Sequence, residues 1–170
     1  MASVLNVDQI NNAAGTSAVT IDSNGNALMA GHVVQVVNGS TATTITSTSS
    51  SAVETGLFAT ITPISNTSKI IVLANQNIQV NGSSYAHIVL RKGTIASNTI
   101  LAIMSSPEGY TNSADVEINT IPMCYEDSPA TTSATRYFCS MELLSGDSVT
   151  SQTSTGGTSV STMTLMEIAG

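Results

Sequence analysis

Lys69-Ile70-Ile71-Val72-Leu73-Ala74-Asn75-Gln76-Asn77-Ile78-Gln79-Val80 is the stretch that decides the fold. It begins with a continuous apolar run, Ile70 to Ala74, and turns polar through Asn75-Gln76-Asn77 before Ile78 and Val80. A short β-branched run of this kind reads as a strand. A strand that is apolar on both faces is buried on both sides, whereas each strand of a simple two-sheet sandwich turns one face to water. The stretch therefore predicts a β-sandwich whose outer face is covered by a neighbouring subunit.

The segments on either side agree. Candidate strands are Val4–Val7, Ala18–Asp22, His32–Val37, Ala42–Thr46, Leu57–Thr62, Tyr85–Arg91, Thr99–Met104, Ala114–Tyr125, Ala134–Leu144 and Val160–Ile168. Asn24-Gly25, Asn38-Gly39 and Asn81-Gly82 supply the positive-φ pairs that tight hairpins prefer, and Ser106-Pro107-Glu108-Gly109 and Asp127-Ser128-Pro129 mark further loops. No segment sustains a 3.6-residue period, so the expected class is all-β with minimal helix. Val160–Ile168 also carries apolar residues on both sides near its end. Leu165 and Met166 therefore join Ile70, Ile71, Val72 and Leu73 as the residues expected at the subunit interface.

The composition points the same way. Charged residues make up 9% of the 170, against about 25% in ordinary domains, while 25 Ser and 24 Thr fill the space and apolar residues reach 41%. Low charge with ordinary hydrophobicity is not the signature of disorder. Four basic residues (Lys69, Arg91, Lys92 and Arg136) and a net charge of −7 exclude a nucleic-acid footprint. A chain this short of charge has little to hold its copies apart, which favours an oligomer. The start lacks a basic region and a long apolar segment, and no run approaches the ~20 residues of a membrane helix. The expectation is a chain made in a cytosol, without a secretory signal or membrane insertion. Residues 1–31 are rich in small residues and too few to bury a core; they read as an arm with little structure of its own. Residues 32–170 hold about nine strands, enough for a jelly-roll-type sandwich, with Ser47–Ser51 and Ser151–Thr158 as exposed loops.

Few residues invite chemistry. Asp115 and Glu117 lie two apart and share a face of a regular strand, and Glu126-Asp127 sits at a loop entrance. A glycosidase needs two carboxylates across a cleft and aromatic platforms, and Trp is absent. Solvated charges are the favoured reading, over an acid–base pair or a calcium site that uses Asp115, Glu117 or Asp147. His32, where arm meets domain, and His87 read as hydrogen-bonded residues, with metal or anion binding between copies of the chain as the alternative. Cys124 and Cys139 read as small buried hydrophobes; a disulfide becomes possible if 119–126 and 136–141 form a hairpin. Arg91-Lys92 reads as edge charge that discourages strand pairing, with acids across a subunit boundary or an anionic surface as alternative partners. No cofactor is implied.

The order of these segments resembles a known family. Ser3-Val4-Leu5-Asn6-Val7-Asp8-Gln9-Ile10-Asn11-Asn12-Ala13-Ala14-Gly15-Thr16-Ser17-Ala18-Val19-Thr20-Ile21 resembles the start of tail-fibre-like virion proteins of tailed bacteriophages, especially marine and cyanobacterial ones. The rest looks like the small all-β domain that often follows. Its landmarks are Thr55-Gly56-Leu57, Thr60-Ile61-Thr62-Pro63, Ser68-Lys69-Ile70-Ile71-Val72, Ser128-Pro129-Ala130-Thr131-Thr132 and Thr164-Leu165-Met166-Glu167-Ile168-Ala169-Gly170. Such domains resemble trimeric C1q/TNF-like jelly rolls, which implies a homotrimer. The resemblance implies a non-enzymatic virion protein, made in the host cytoplasm and held to a tail, baseplate or major capsid protein by an arm bearing Val4, Leu5, Val7, Ile10, Val19 and Ile21. Its implied role is a short tail fibre or tip that meets a host-surface glycan or protein. The brief arm and the lack of a long shaft leave a head decoration (cement) protein as the alternative, and an envelope-polysaccharide-degrading tip enzyme as a remote one.

Overall fold

A computed structural model of the chain describes residues 6–23, 25–81, 85–103, 109–110, 116–152 and 159–170, with the backbone alone at 109–110 and 116–117. Its elements are strands throughout: β1 (Gln9–Asn11), β2 (Ser17–Ile21), β3 (Ala27–Leu28), β4 (Val33–Thr41), β5 (Ile45–Ser47), β6 (Val53–Ile61), β7 (Lys69–Asn81), β8 (Tyr85–Thr94), β9 (Ser97–Ile103), β10 (Gly109–Tyr110), β11 (Val116–Asp127), β12 (Thr135–Ser145), β13 (Ser148–Ser151) and β14 (Ser161–Ile168). No helix occurs among the described residues.

Two antiparallel sheets face each other. The first runs β4–β14–β7–β11, with β13 and β5 continuing the β14 and β4 rows beside the far half of β7. The second runs β6–β12–β8–β9, with β10 continuing the β9 edge beside the start of β8. In chain order the eight principal strands alternate between the sheets except at the β8–β9 hairpin. This is the jelly roll, a double-sheet solution to the exposed-edge problem.

β7 shows how the core forms. Ile70, Val72, Ala74, Gln76, Ile78 and Val80 point inward and are buried, while Ile71, Leu73, Asn75, Asn77, Gln79 and Asn81 face out. The period of two is unbroken, so the Ile70–Ala74 run is not buried on both faces within one chain. Opposite, β12 contributes Tyr137, Cys139, Met141 and Leu143, and β6 contributes Leu57, Ala59 and Ile61. Burying a side chain of this size is worth roughly 1.5–3 kcal/mol, and the core is drawn entirely from residues after the arm.

Two polar ties cross the core near its ends. Thr55 on β6 donates to Gln76 Oε1 (2.7 Å), and Gln76 Nε2 donates to Ser161 Oγ on β14 (3.1 Å) and to the Asn77 carbonyl (2.9 Å). At the other end Asp127, closing β11, accepts the Tyr137 hydroxyl (2.7 Å) and Lys92 Nζ (2.8 Å), both from the second sheet. Buried Glu167, at the end of β14, accepts from the Ile64 amide (2.8 Å) and from Gln35, which holds the β6–β7 connection. Buried polar groups that are satisfied in this way fix one register rather than cost stability.

Several sequence expectations change. Asn38-Gly39 makes no turn: it lies inside β4, where a Cβ on Gly39 would meet the Phe58 carbonyl oxygen at 2.0 Å. Glycine is needed there for close approach of β4 and β6, not for its dihedral freedom. Asn81-Gly82 leads from β7 into the opposite sheet rather than round a hairpin; Gly82 itself lies outside the described residues. Residues 6–8 form no strand, and the Val4–Leu5 part of that expectation lies outside the described residues. Ser151, expected to open an exposed loop, ends β13 fully buried, and Ser47 is buried at the end of β5; 153–158 lie outside the described residues. The arm is more ordered than expected: β1, β2 and β3 form an antiparallel meander, tied to the sandwich through Gly31 N to the Ala169 carbonyl (2.8 Å) and Ala169 N to the His32 carbonyl (2.9 Å).

Candidate assembly surfaces

The outer face of the β4–β14–β7–β11 sheet is built from side-chain rows that the register defines. Val36, Met166, Ile71 and Glu126 form one row; Asn38, Thr164, Leu73 and Cys124 the next; Ser40, Thr162, Asn75 and Pro122 the third. Val36 is 52% exposed and Leu73 37%, so the apolar band is open to solvent. Towards the far end the face becomes a lattice of amides and hydroxyls, with Thr120 donating to Asn77 Oδ1 (2.6 Å) and Thr46 sharing a hydrogen bond with Thr150 (2.9 Å). The only charges on this face among the described residues are Lys69 and Glu126, paired at 2.7 Å at one end.

The expected interface residues divide by this parity. Ile71, Leu73 and Met166 lie on the outer face; Ile70, Val72 and Leu165 lie in the chain's own core and present nothing to a partner. Val36, absent from that expectation, completes the band. Its signal was the apolar run Val33-Val34 and Val36-Val37 in β4, the same two-sided pattern as in β7.

The opposite face is built differently. Phe138 on β12 and Val89 on β8 point outward yet are fully buried, and Arg136 of the same sheet roofs Phe138. Arg136 stacks between Phe58 (4.4 Å to the ring centroid) and Phe138 (4.7 Å) and makes a two-pronged pair with Glu54 (2.9 and 2.7 Å). Arg91 donates to Ser140 Oγ (2.7 Å), to Asn98 Oδ1 (2.6 Å) and to Glu142. The hydrogen-bonded Arg136 guanidinium holds the Glu54 carboxyl below its usual range, against the opposing effect of burial. Arg91 and Lys92 are thus not edge charges: they alternate faces and pair with Glu142 and Asp127 of their own chain.

The remaining expected sites are dispersed. Glu126 and Asp127 are engaged by Lys69 and by Lys92 with Tyr137. Burial, reinforced by the Asp127 hydrogen bond, pushes the Tyr137 phenol well above its ordinary range. Asp115 and the Glu117 side chain lie outside the described residues, and Asp147 is exposed between β12 and β13. His32 is exposed, and His87 lies opposite Glu142 in the β8–β12 register. No group of three His, Cys, Asp or Glu side chains gathers in metal-binding geometry among the described residues. The two cysteines sit in opposite sheets, so the hairpin that a disulfide required does not form. Cys124 is exposed and Cys139 buried, its thiol pushed up to about 12 by burial. Of the arm residues, Ile10 is 51% exposed, Val7, Val19 and Ile21 are half-buried, and Val4 and Leu5 lie outside the described residues.

These features define the class: a jelly-roll β-sandwich protein with an appended meander. No family model matches the chain, and no curated protein matches it. Among solved structures it is similar to a point mutant of the VP2 protein of infectious bursal disease virus in T=1 particles, at 12% identity and TM-score 0.44, over 90% of this chain and 40% of that one. It is also similar to the infectious bursal disease virus Gx strain structure, at 12% identity and TM-score 0.36, over 96% and 37%. The chain spans about two fifths of the length of the chains it matches.

Proposed function

We propose that the protein is a non-enzymatic structural component of a tailed-phage virion, a homotrimer on the particle exterior that acts as a short tail fibre or host-contact tip and is held by its N-terminal segment. The observation that carries this reading is the two-part construction. The sandwich core is complete without the arm, while the β1–β2–β3 meander adds nothing to that core and leaves Ile10 half exposed. A small sheet without a core of its own is marginal alone and gains stability by packing on another surface. The resemblance of Ser3–Ile21 to the start of tail-fibre-like proteins supplies the kind of surface: a neighbouring virion protein.

The test is copy number and attachment in purified particles. Tens of copies or fewer, with loss of incorporation on Ile10→Asp while the soluble protein keeps its fold, is the expected result. Hundreds of copies would replace the fibre role by head decoration. Absence from particles would overturn the reading.

A further inference from the structure

We infer that copies of this chain associate through the outer face of the β4–β14–β7–β11 sheet, with the band Val36, Ile71, Leu73 and Met166 against a second copy. The inference rests on the self-assembling reading above and names the face that reading requires.

Area is the first argument. Four strands spaced about 4.8 Å apart, and about 40 Å long at the length of β7, present roughly 750 Å², close to the ~800 Å² per partner that a stable interface buries. Two shallow depressions, of about 510 and 370 Å³, flank the Leu73–Thr164 pair, one over β7 and β11 and one over β4 and β14. They leave room for side chains of a facing row.

Charge is the second argument, and it selects the occupant. Each chain carries −7, so two copies repel wherever acids face each other. On this face the only charges among the described residues are an ion pair that sums to zero at one end. A neutral face of Asn, Thr and Ser can meet its own copy, because amides and hydroxyls both donate and accept.

The opposite face is the less suitable one. Its outward Phe138 and Val89 are already covered, and its exposed Phe58, Ile100 and Ile103 share that face with the Glu54–Arg136 and Arg91–Glu142 pairs. A partner there would have to complete the desolvation of two ion pairs that are already partly buried, and desolvating charges often cancels the gain from contact. On the first face only the Lys69–Glu126 pair, at one end, carries that cost.

The full chain, its Leu73→Arg and Thr164→Arg variants on this face, and an Ile100→Arg variant on the other would be compared by light scattering at micromolar concentration, with circular dichroism to check the fold. Wild-type chain and Ile100→Arg should run as oligomers, and the two variants of this face as folded monomers near 17.4 kDa. Cys124, which shares the row of Leu73, gives a measure that needs no substitution. Its labelling by N-ethylmaleimide should slow about tenfold or more from dilute to concentrated protein. Oligomers that survive both substitutions, or Cys124 labelling independent of concentration, would overturn this face while leaving self-assembly intact. A wild-type monomer at every concentration would overturn the self-assembling reading and this inference together.

Discussion

The Thr55 hydroxyl on β6 donates to the side-chain carbonyl of Gln76 on β7 at 2.7 Å, across the interior of the sandwich, and both residues are fully buried. Thr55→Val preserves shape but leaves Gln76 Oε1 without this donor. An unsatisfied buried acceptor costs about 1–3 kcal/mol, so the urea midpoint should fall accordingly with an unchanged slope. Thr55→Ser, which keeps the hydroxyl, should lose less.

Gly39 is expected to tolerate no side chain. The nearest atoms to a new Cβ are the Phe58 carbonyl oxygen at 2.0 Å and carbon at 2.9 Å, both backbone, so no rotamer change relieves the clash. Gly39→Ala should destabilise by about 1–3 kcal/mol or more, whereas Gly25→Ala, where a Cβ meets nothing within 4 Å, pays only for its positive φ. Thermal melts of the two variants rank them.

Alkaline pH should weaken the tie between the sheets. The folded Tyr137 phenol is raised above its unfolded value of 10.0 by burial and by Asp127. Its contribution is therefore complete below about pH 10 and lost as pH rises through the folded value. Wild-type stability should decline above pH 10 more steeply than that of Tyr137→Phe, as read from denaturant midpoints across the range.

Acid should act on the other face with the opposite sign. Glu54 is lowered from 4.5, chiefly by its hydrogen bond to Arg136. That contribution is present above pH 4.5 and disappears as pH falls through the folded value. Glu54→Gln should be less stable than wild type at pH 7 and should lose less of its stability between pH 5 and pH 3.

Cys139 should resist thiol reagents until the chain unfolds. It is fully buried and its ionisation is displaced to about 12, so neither access nor thiolate is available at neutral pH. Labelling of Cys139 in the native protein at pH 8, followed by peptide mass mapping, would contradict the core placement.

The extent of the strands was legible because β-branched runs and turn residues report local preference. Lys69–Val80 is β7 to within a residue, and Ala134–Leu144 is β12 to within one at each end. Which side of β7 faces inward was not legible. Ile70 and Ile71 are chemically alike, and only the strands packed over them choose between the two parities. Sheet partnership was equally hidden: Asn119–Glu126 and Arg136–Met141 are close in sequence, yet the jelly-roll path sends them to opposite sheets. Arg91 looked exposed because its three partners, Asn98, Ser140 and Glu142, converge only after β8, β9 and β12 have paired.

β14, synthesised after both of its neighbours, lies in the middle of its sheet between β4 and β7. Until Ser161–Ile168 leaves the ribosome, β4 and most of one side of β7 have no strand to pair with, and their exposed edges are templates for other chains. Production of soluble protein should therefore depend on protecting the nascent chain up to that point. Chains interrupted before Ser161 should aggregate rather than persist as partly folded domains.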